Sequence, residues 1–377
     1  MTDLPWTDEQ LQPYREMGDP PADEMIAALV QGGQVPAVNV LMRHLVQNEY
    51  PIPESLPPAV RAYLDRTDDL PDWADRARLE AGERVFVRYG PELVVILHCY
   101  SLPFCYLGVN GVQVLNLTDR LESNPTRRIL ETAQMLVDVM QPGGLAGKEG
   151  RGRRTIQKVR LMHAAVRRMA RLAPSWREAW GLPINQEDLA GTLMSFSWVG
   201  LDGLKKLGVE LSADDREAYL HCWNVAGWLL GIRRELLPRD EARATDLAHA
   251  VARHQFGPSP AGRDLCGALV KHTAYHLPGN AFEHLAPVMI HYFLGEQWAS
   301  WLGLPPGLSF ERLAGLVRAL DLRVSELFAG SRALSRLVEL AGLKFLEAAI
   351  YCERGGNRPS FAIPQELRQE WGVSCVP

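Results

Sequence analysis

The stretch Thr155-Ile156-Gln157-Lys158-Val159-Arg160-Leu161-Met162-His163-Ala164-Ala165-Val166-Arg167-Arg168-Met169-Ala170-Arg171 decides how the rest of the chain is read. It holds neither glycine nor proline and reads as one helix over 155–171. Ile156, Val159, His163, Val166 and Ala170 recur at the spacing of a single buried helix face. A titratable imidazole therefore stands where a core side chain belongs. Lys158, Arg160, Arg167, Arg168 and Arg171 read as a solvated basic face around it.

Two readings of His163 stay open on this pattern alone: a core histidine with hydrogen-bonded ring nitrogens, or a metal or haem ligand, for which neutral imidazole is the commonest side chain. The chain has 377 residues, 47% hydrophobic and 23% charged, ordinary values for a globular protein with a core able to enclose a cofactor. A net charge of −5 gives no electrostatic case for a nucleic-acid partner. The six cysteines form no C-x-x-C pair and no C-x-x-C-H haem attachment site; most read as buried free thiols, which fits a reducing compartment. The start, Met1 to Asp23, is acidic and Pro-rich, without the features of an export signal, so a cytoplasmic location is expected. Leu93–Leu117 carries no charge, but His98, Pro103, Asn110 and Asn116 interrupt it. It reads as a buried helix broken near Pro103 and Gly108, and no transmembrane segment is expected.

Helical patterns continue through the chain. Helices are expected at Asp23–Val30, Pro36–Gln47, Pro58–Arg66, Trp73–Tyr89 (charged, at the surface) and Thr126–Met140, the last after Asn124-Pro125. The glycine-rich loop Leu145–Arg153 lacks the order of a phosphate cradle. Further helices are expected at Asn185–Leu207, Ser212–Leu230, Glu241–Phe256, Ser259–Tyr275, Phe282–Leu294, Phe310–Leu322 and Arg332–Arg354. The fold class is all-α: one large helical domain over 23–355, an irregular segment 1–22 and an irregular tail 356–377.

Several words, in order, resemble the rubber oxygenase (latex-clearing protein) family and the related MpaB-type oxygenases. They are Ala37–Arg43, Leu70-Pro71-Asp72-Trp73-Ala74-Asp75, Arg128-Ile129-Leu130-Glu131-Thr132-Ala133, Val159–Arg167, Tyr219-Leu220-His221-Cys222-Trp223 and Leu230-Gly231-Ile232. The resemblance covers roughly Asp23 to Leu304. It implies a globin-like helical core holding one haem b, with His163 as the proximal iron ligand and Arg128 and Thr132 as the family's R-x-x-x-T pair. Residues four apart share a helix face, so Arg128 and Thr132 can enter one pocket together. The guanidinium could pair a haem propionate and the hydroxyl could donate to bound oxygen. Without the resemblance the pair would be an ordinary surface arginine and a half-buried threonine. His221 reads as a pocket or core histidine rather than a ligand, and His98 as a core histidine before a sixth ligand.

The chain departs from the rubber-cleaving members. Where they carry a lysine between the arginine and the threonine, it has Glu131; where they carry a glutamate ahead of that helix, Asn110 to Leu117 contains no acid. Both departures argue against polyisoprene as the substrate. Glu131 could supply the acid/base function or close the distal site; the alternative is a solvent-facing glutamate paired with Arg127 or Arg128. The expected function is a haem-b-dependent oxygenase using dioxygen on an apolar unsaturated small molecule, isoprenoid or lipid-like. A haem protein with a peroxidase-like or sensing role is the alternative, and a helical interaction protein without cofactor the third reading. Oligomeric state is not legible.

Overall fold

The computed structural model describes residues 6–34, 48, 54–122, 125–276 and 285–306; within its helices the side chains at 91, 119–130, 272–276 and 285 lie outside that description. The described chain is all-helical, and its isolated extended backbone pairing joins Gly108 to Phe256. The expected helices at 36–47, 310–322 and 332–354, the word Ala37–Arg43 and the tail 356–377 lie outside the described residues.

The central element is α9, Gly152–Leu172, preceded by α8, Pro125–Met140. α9 is apolar on two sides. Ile156 and Val159 enter the main core, while Leu161, Ala164 and Ala165 pack in a second cluster against α2 (Pro20–Gln31) and α3 (Pro58–Arg66). A helix covered on two faces has no room for a continuous basic surface. The solvated face expected for its cations is therefore corrected: Arg154, Arg160 and Arg167 are buried, while Arg168 and Arg171 remain exposed. Arg160 makes a bidentate pair with Asp19, Nε to Oδ2 at 2.5 Å and Nη2 to Oδ1 at 2.7 Å, and donates to the Leu229 carbonyl at 3.2 Å. Arg167 pairs with Asp23 and donates to the carbonyls of Pro183 and Ile184.

Those acids lie in or beside the segment expected to be irregular. Instead, Thr7 opens a capping box for α1 (Asp8–Leu11), a 3-10 turn spans Gln12–Glu16, and Asp19 precedes α2. Buried arginines on α9 require carboxylate partners, and this segment brings Asp19, which is buried, and Asp23, which is half-buried.

Helix α4, Arg76–Arg88, begins at the Asp75 N-cap. It is not the surface helix that its charge suggested. Leu79, Val85 and Phe86 are buried, and α4 packs along α12 (Ala213–Leu229). Gly82 permits the approach: a Cβ there would lie 2.5 Å from both the Ala218 carbonyl oxygen and Cys222 Sγ. The uncharged stretch also differs from expectation. α5 (Gly90–Ile96) runs through a π-turn at Leu97–Ser101 into α6 (Leu102–Tyr106), and the break comes at Gly108. Pro103 lacks the amide that would close the next α-turn, so the helix widens ahead of it rather than stopping. α7 (Val112–Glu122) follows. Asn185–Leu207 is two helices, α10 (Gln186–Phe196) and α11 (Trp198–Lys206), parted at Ser197. α13 (Glu241–Gln255), α14 (Pro260–His276) and α15 (Leu285–Trp301, kinked at Gly295) complete the described fold. Among the described residues no helix is long and apolar enough to cross a membrane.

Candidate functional site

A cavity of about 320 Å³ opens between α7, α8, α9, α10 and α13. Val159, Met162, His163 and Val166 form its α9 wall, facing Val112, Leu115 and Met135. Trp223, Phe104 and Phe256 close it with aromatic rings; the last two meet edge-to-face at 4.7 Å. The helical register explains the placement, since the stripe that buries Ile156 and Val159 turns His163 to the same side. Burial in apolar surroundings, with the Arg167 guanidinium adding to it, pulls the imidazole down to about 4. At neutral pH His163 is thus uncharged and offers a nitrogen lone pair.

Glu131 and Thr132, both half-buried, lie on the α8 wall. Arg128 lies on the same helix, four residues before Thr132, with its side chain outside the described residues. Two histidines weighed from sequence stand elsewhere. His98 Nδ1 bonds the Val94 carbonyl at 3.0 Å, so it is a satisfied helix histidine. His221 accepts from the Asp75 amide at 2.9 Å and meets Trp73 edge-on, so it is a partner of the α4 N-terminus and not the pocket or core residue expected. The loop 143–152 cradles no phosphate, because the amides of Gly144, Gly147, Gly150 and Gly152 donate to carbonyls within the loop and the preceding turn. Asn48 Nδ2 fastens that loop through the carbonyls of Gly144 and Gly147.

A buried polar cluster forms another part of the wall. Glu187, fully buried, accepts from Arg15 Nη1 at 3.3 Å and from Gln255 Nε2 at 3.2 Å, and its Oε1 lies 2.7 Å from His254 Nδ1. Asp188 accepts from Arg15 at 3.1 Å and from Asn185 at 2.8 Å. Burial raises both carboxyl groups above their ordinary values, against the opposing pull of their cationic partners. Ile184, just before α10, is held at φ 51°, a left-handed conformation that a β-branched residue rarely adopts. Its carbonyl is gripped by Arg167 Nη2 at 2.9 Å, and its side chain lines the cavity.

Residues 107–319 match the family described as ER-bound oxygenase mpaB/B′/Rubber oxygenase, catalytic domain. The chain belongs to this oxygenase family. The rubber oxygenase of Streptomyces sp. (strain K30) is 28% identical over 304 residues, which is 78% of this chain and 72% of that protein. A solved structure of latex clearing protein LCP in the closed state superimposes with a TM-score of 0.78 at 26% identity, covering 93% of this chain and 95% of that one. Within this MpaB/rubber oxygenase member, sequence reading found the α8 and α9 walls but missed the Arg15–Glu187–Asp188–His254 cluster. Asn185-Gln186-Glu187-Asp188 was legible only as a capped helix start, where acids are commonplace. Arg15 and His254 stand far from it in sequence and have no local pairing pattern.

Proposed function

We propose that this chain is a haem-b-dependent oxygenase acting with dioxygen on an apolar unsaturated substrate of isoprenoid or lipid-like class. The observation that carries the reading is a single neutral imidazole, His163, on the wall of a largely apolar cavity. Among the described residues no group of three or more His, Cys, Asp or Glu could hold a bare metal ion. A haem iron needs few protein donors because the porphyrin supplies the rest, and His163 would be the residue that holds it. Bound haem b would supply an iron centre for dioxygen chemistry.

The chain's residues divide the remaining work. His163 would hold the iron, kept in its neutral form by the same burial that excludes water. Arg128 and Thr132 would bind polar groups of the cofactor or of dioxygen from α8, and Glu131 would hold or release a proton at that wall. Met135, Leu115, Phe104 and Phe256 would hold an apolar substrate and keep water out. The relatives carry the names rubber oxygenase and latex clearing protein; we assign this chain the broader alkene class, because Glu131 and the acid-free segment 110–117 depart from the rubber-cleaving pattern.

The test is the absorption spectrum of protein produced with ample haem precursor. The expected result is a Soret band in the wild type that is lost in His163→Ala, with helical circular dichroism unchanged. A colourless wild type, or a His163→Ala variant that keeps the band, overturns the proposal.

A further inference from the structure

We propose that Arg15, Glu187, Asp188 and His254 form a proton-transfer site, which holds one exchangeable proton at the cavity wall and trades it with water through His254. The site deepens the oxygenase reading, and rests on it only for the identity of the reaction it serves.

Charge counting carries the argument. Two carboxylates face one guanidinium: Arg15 Nη1 lies 3.3 Å from Glu187 Oε2 and 3.1 Å from Asp188 Oδ1. The Glu187 and Arg15 side chains are 0% and 3% exposed and that of Asp188 17%, so one negative charge would remain unbalanced in a largely buried place, which is unfavourable. One proton, shared among Glu187, Asp188 and His254, removes the imbalance. Among the described residues, no other ionisable side chain bonds these groups. Arg15 comes from the turn after α1, the two acids from α10 and the imidazole from α13, while the 108–112 segment faces Asp188 with Gly111. Gln255 is neutral, and Asn110 donates to it at 3.2 Å. Arg253, beside His254, turns outward to pair with Asp8 at 2.9 Å.

Position makes that proton usable. Glu187, Asp188 and Gln255 all line the cavity. His254 is 2.7 Å from Glu187 Oε1 and keeps 15% of its side chain exposed, so the imidazole spans from the carboxyl toward the surface. When a group in the cavity gives a proton to Glu187, His254 releases one to water. In the reverse direction water protonates His254, and Glu187 hands its proton inward. One proton enters for each that leaves, and no electron moves. Burial also raises both carboxyl groups, the direction that favours retention of a proton.

The test uses haem-free full-length protein, so it does not depend on turnover. Histidine-selective nitrogen NMR and carboxyl infrared spectra would be recorded at neutral pH on the wild type, Glu187→Gln and His254→Ala, with circular dichroism confirming the fold. The wild type is expected to hold one proton, as a charged His254 or as a protonated carboxyl. Glu187→Gln should leave His254 neutral, with no carboxylic-acid band from Asp188. His254→Ala should show a carboxylic-acid band that exchanges slowly with D2O and at least tenfold faster with added imidazole. A wild type with neutral His254 and both carboxylates ionised overturns the proposal. So does a folded His254→Ala without the band, or one whose exchange ignores imidazole. If Glu187→Gln misfolds, Asp188→Asn makes the same count. Failure of the Soret test with this proton count intact would remove the oxygenase reading and leave the proton site standing.

Discussion

Removing the carboxylate of Asp19 should loosen the helix that carries His163. Asp19→Ala leaves the Arg160 guanidinium, only 10% exposed, without the partner whose two oxygens it meets at 2.5 and 2.7 Å. Its remaining bond among the described residues, to the Leu229 carbonyl at 3.2 Å, is to a neutral group and does not offset the buried charge. Breaking such a pair costs about 3–5 kcal/mol. With a urea dependence near 3 kcal/mol per molar, the unfolding midpoint should fall by roughly 1 M. The assay is urea denaturation followed by circular dichroism and tryptophan fluorescence. Asp8→Ala is the internal control: its pair with Arg253 is about half exposed on both sides and should cost under about 1 kcal/mol. The double change Asp19→Leu/Arg160→Met should recover most of the loss, because an apolar pair leaves no orphaned charge. Equal midpoints for Asp19→Ala and Asp8→Ala, or a double variant no better than Asp19→Ala, would refute the view that this segment anchors α9 by charge.

Other outcomes follow from the same geometry. Burial lifts Glu83 to about 7, despite the opposing Gly143 amide bond at 2.9 Å. The folded state then keeps a proton that the unfolded chain releases above about 4.5, so stability should be fullest below that value and decline as pH rises to about 7. The interval is worth about 3 kcal/mol, and Glu83→Gln should flatten the pH dependence of the urea midpoint; an unchanged slope contradicts the assignment. Gly82→Ala should destabilise by about 1–3 kcal/mol through overpacking against α12, offset by about 1 kcal/mol of helix propensity. A stabilised Gly82→Ala would mean that α4 and α12 can move apart. Under the proposed haem-oxygenase function, Glu131→Gln should abolish oxygen consumption with an apolar alkene while leaving a Soret band intact, and normal turnover would remove Glu131 from the proposed mechanism.

Much of the molecule can be read from local patterns, because helices and their caps are local. The helix starts at Asn185 and Ser212, the helix expected over 155–171 and the stripe that turns His163 inward all depend on residues within a few turns of each other, whereas the helix expected from Trp73 begins after the Asp75 cap. The charge-rich helices were harder. Arg160 and Arg167 read as surface residues because their partners, Asp19 and Asp23, lie more than 140 residues away. The α4 helix read as a surface element for the same reason, since Gly82 shows its purpose only against Ala218 and Cys222.

By itself, then, the sequence determined that the chain is helical, where most helices begin, and that an imidazole replaces a core side chain on the best of them. Helix periodicity and capping act over a few residues and leave their mark in order along the chain. Only the tertiary structure decided which charges are buried, that Glu187 and Asp188 share Arg15, and that Glu187 reaches His254. Ion pairs over such separations are set by how helices pack, and no spacing in the chain encodes them.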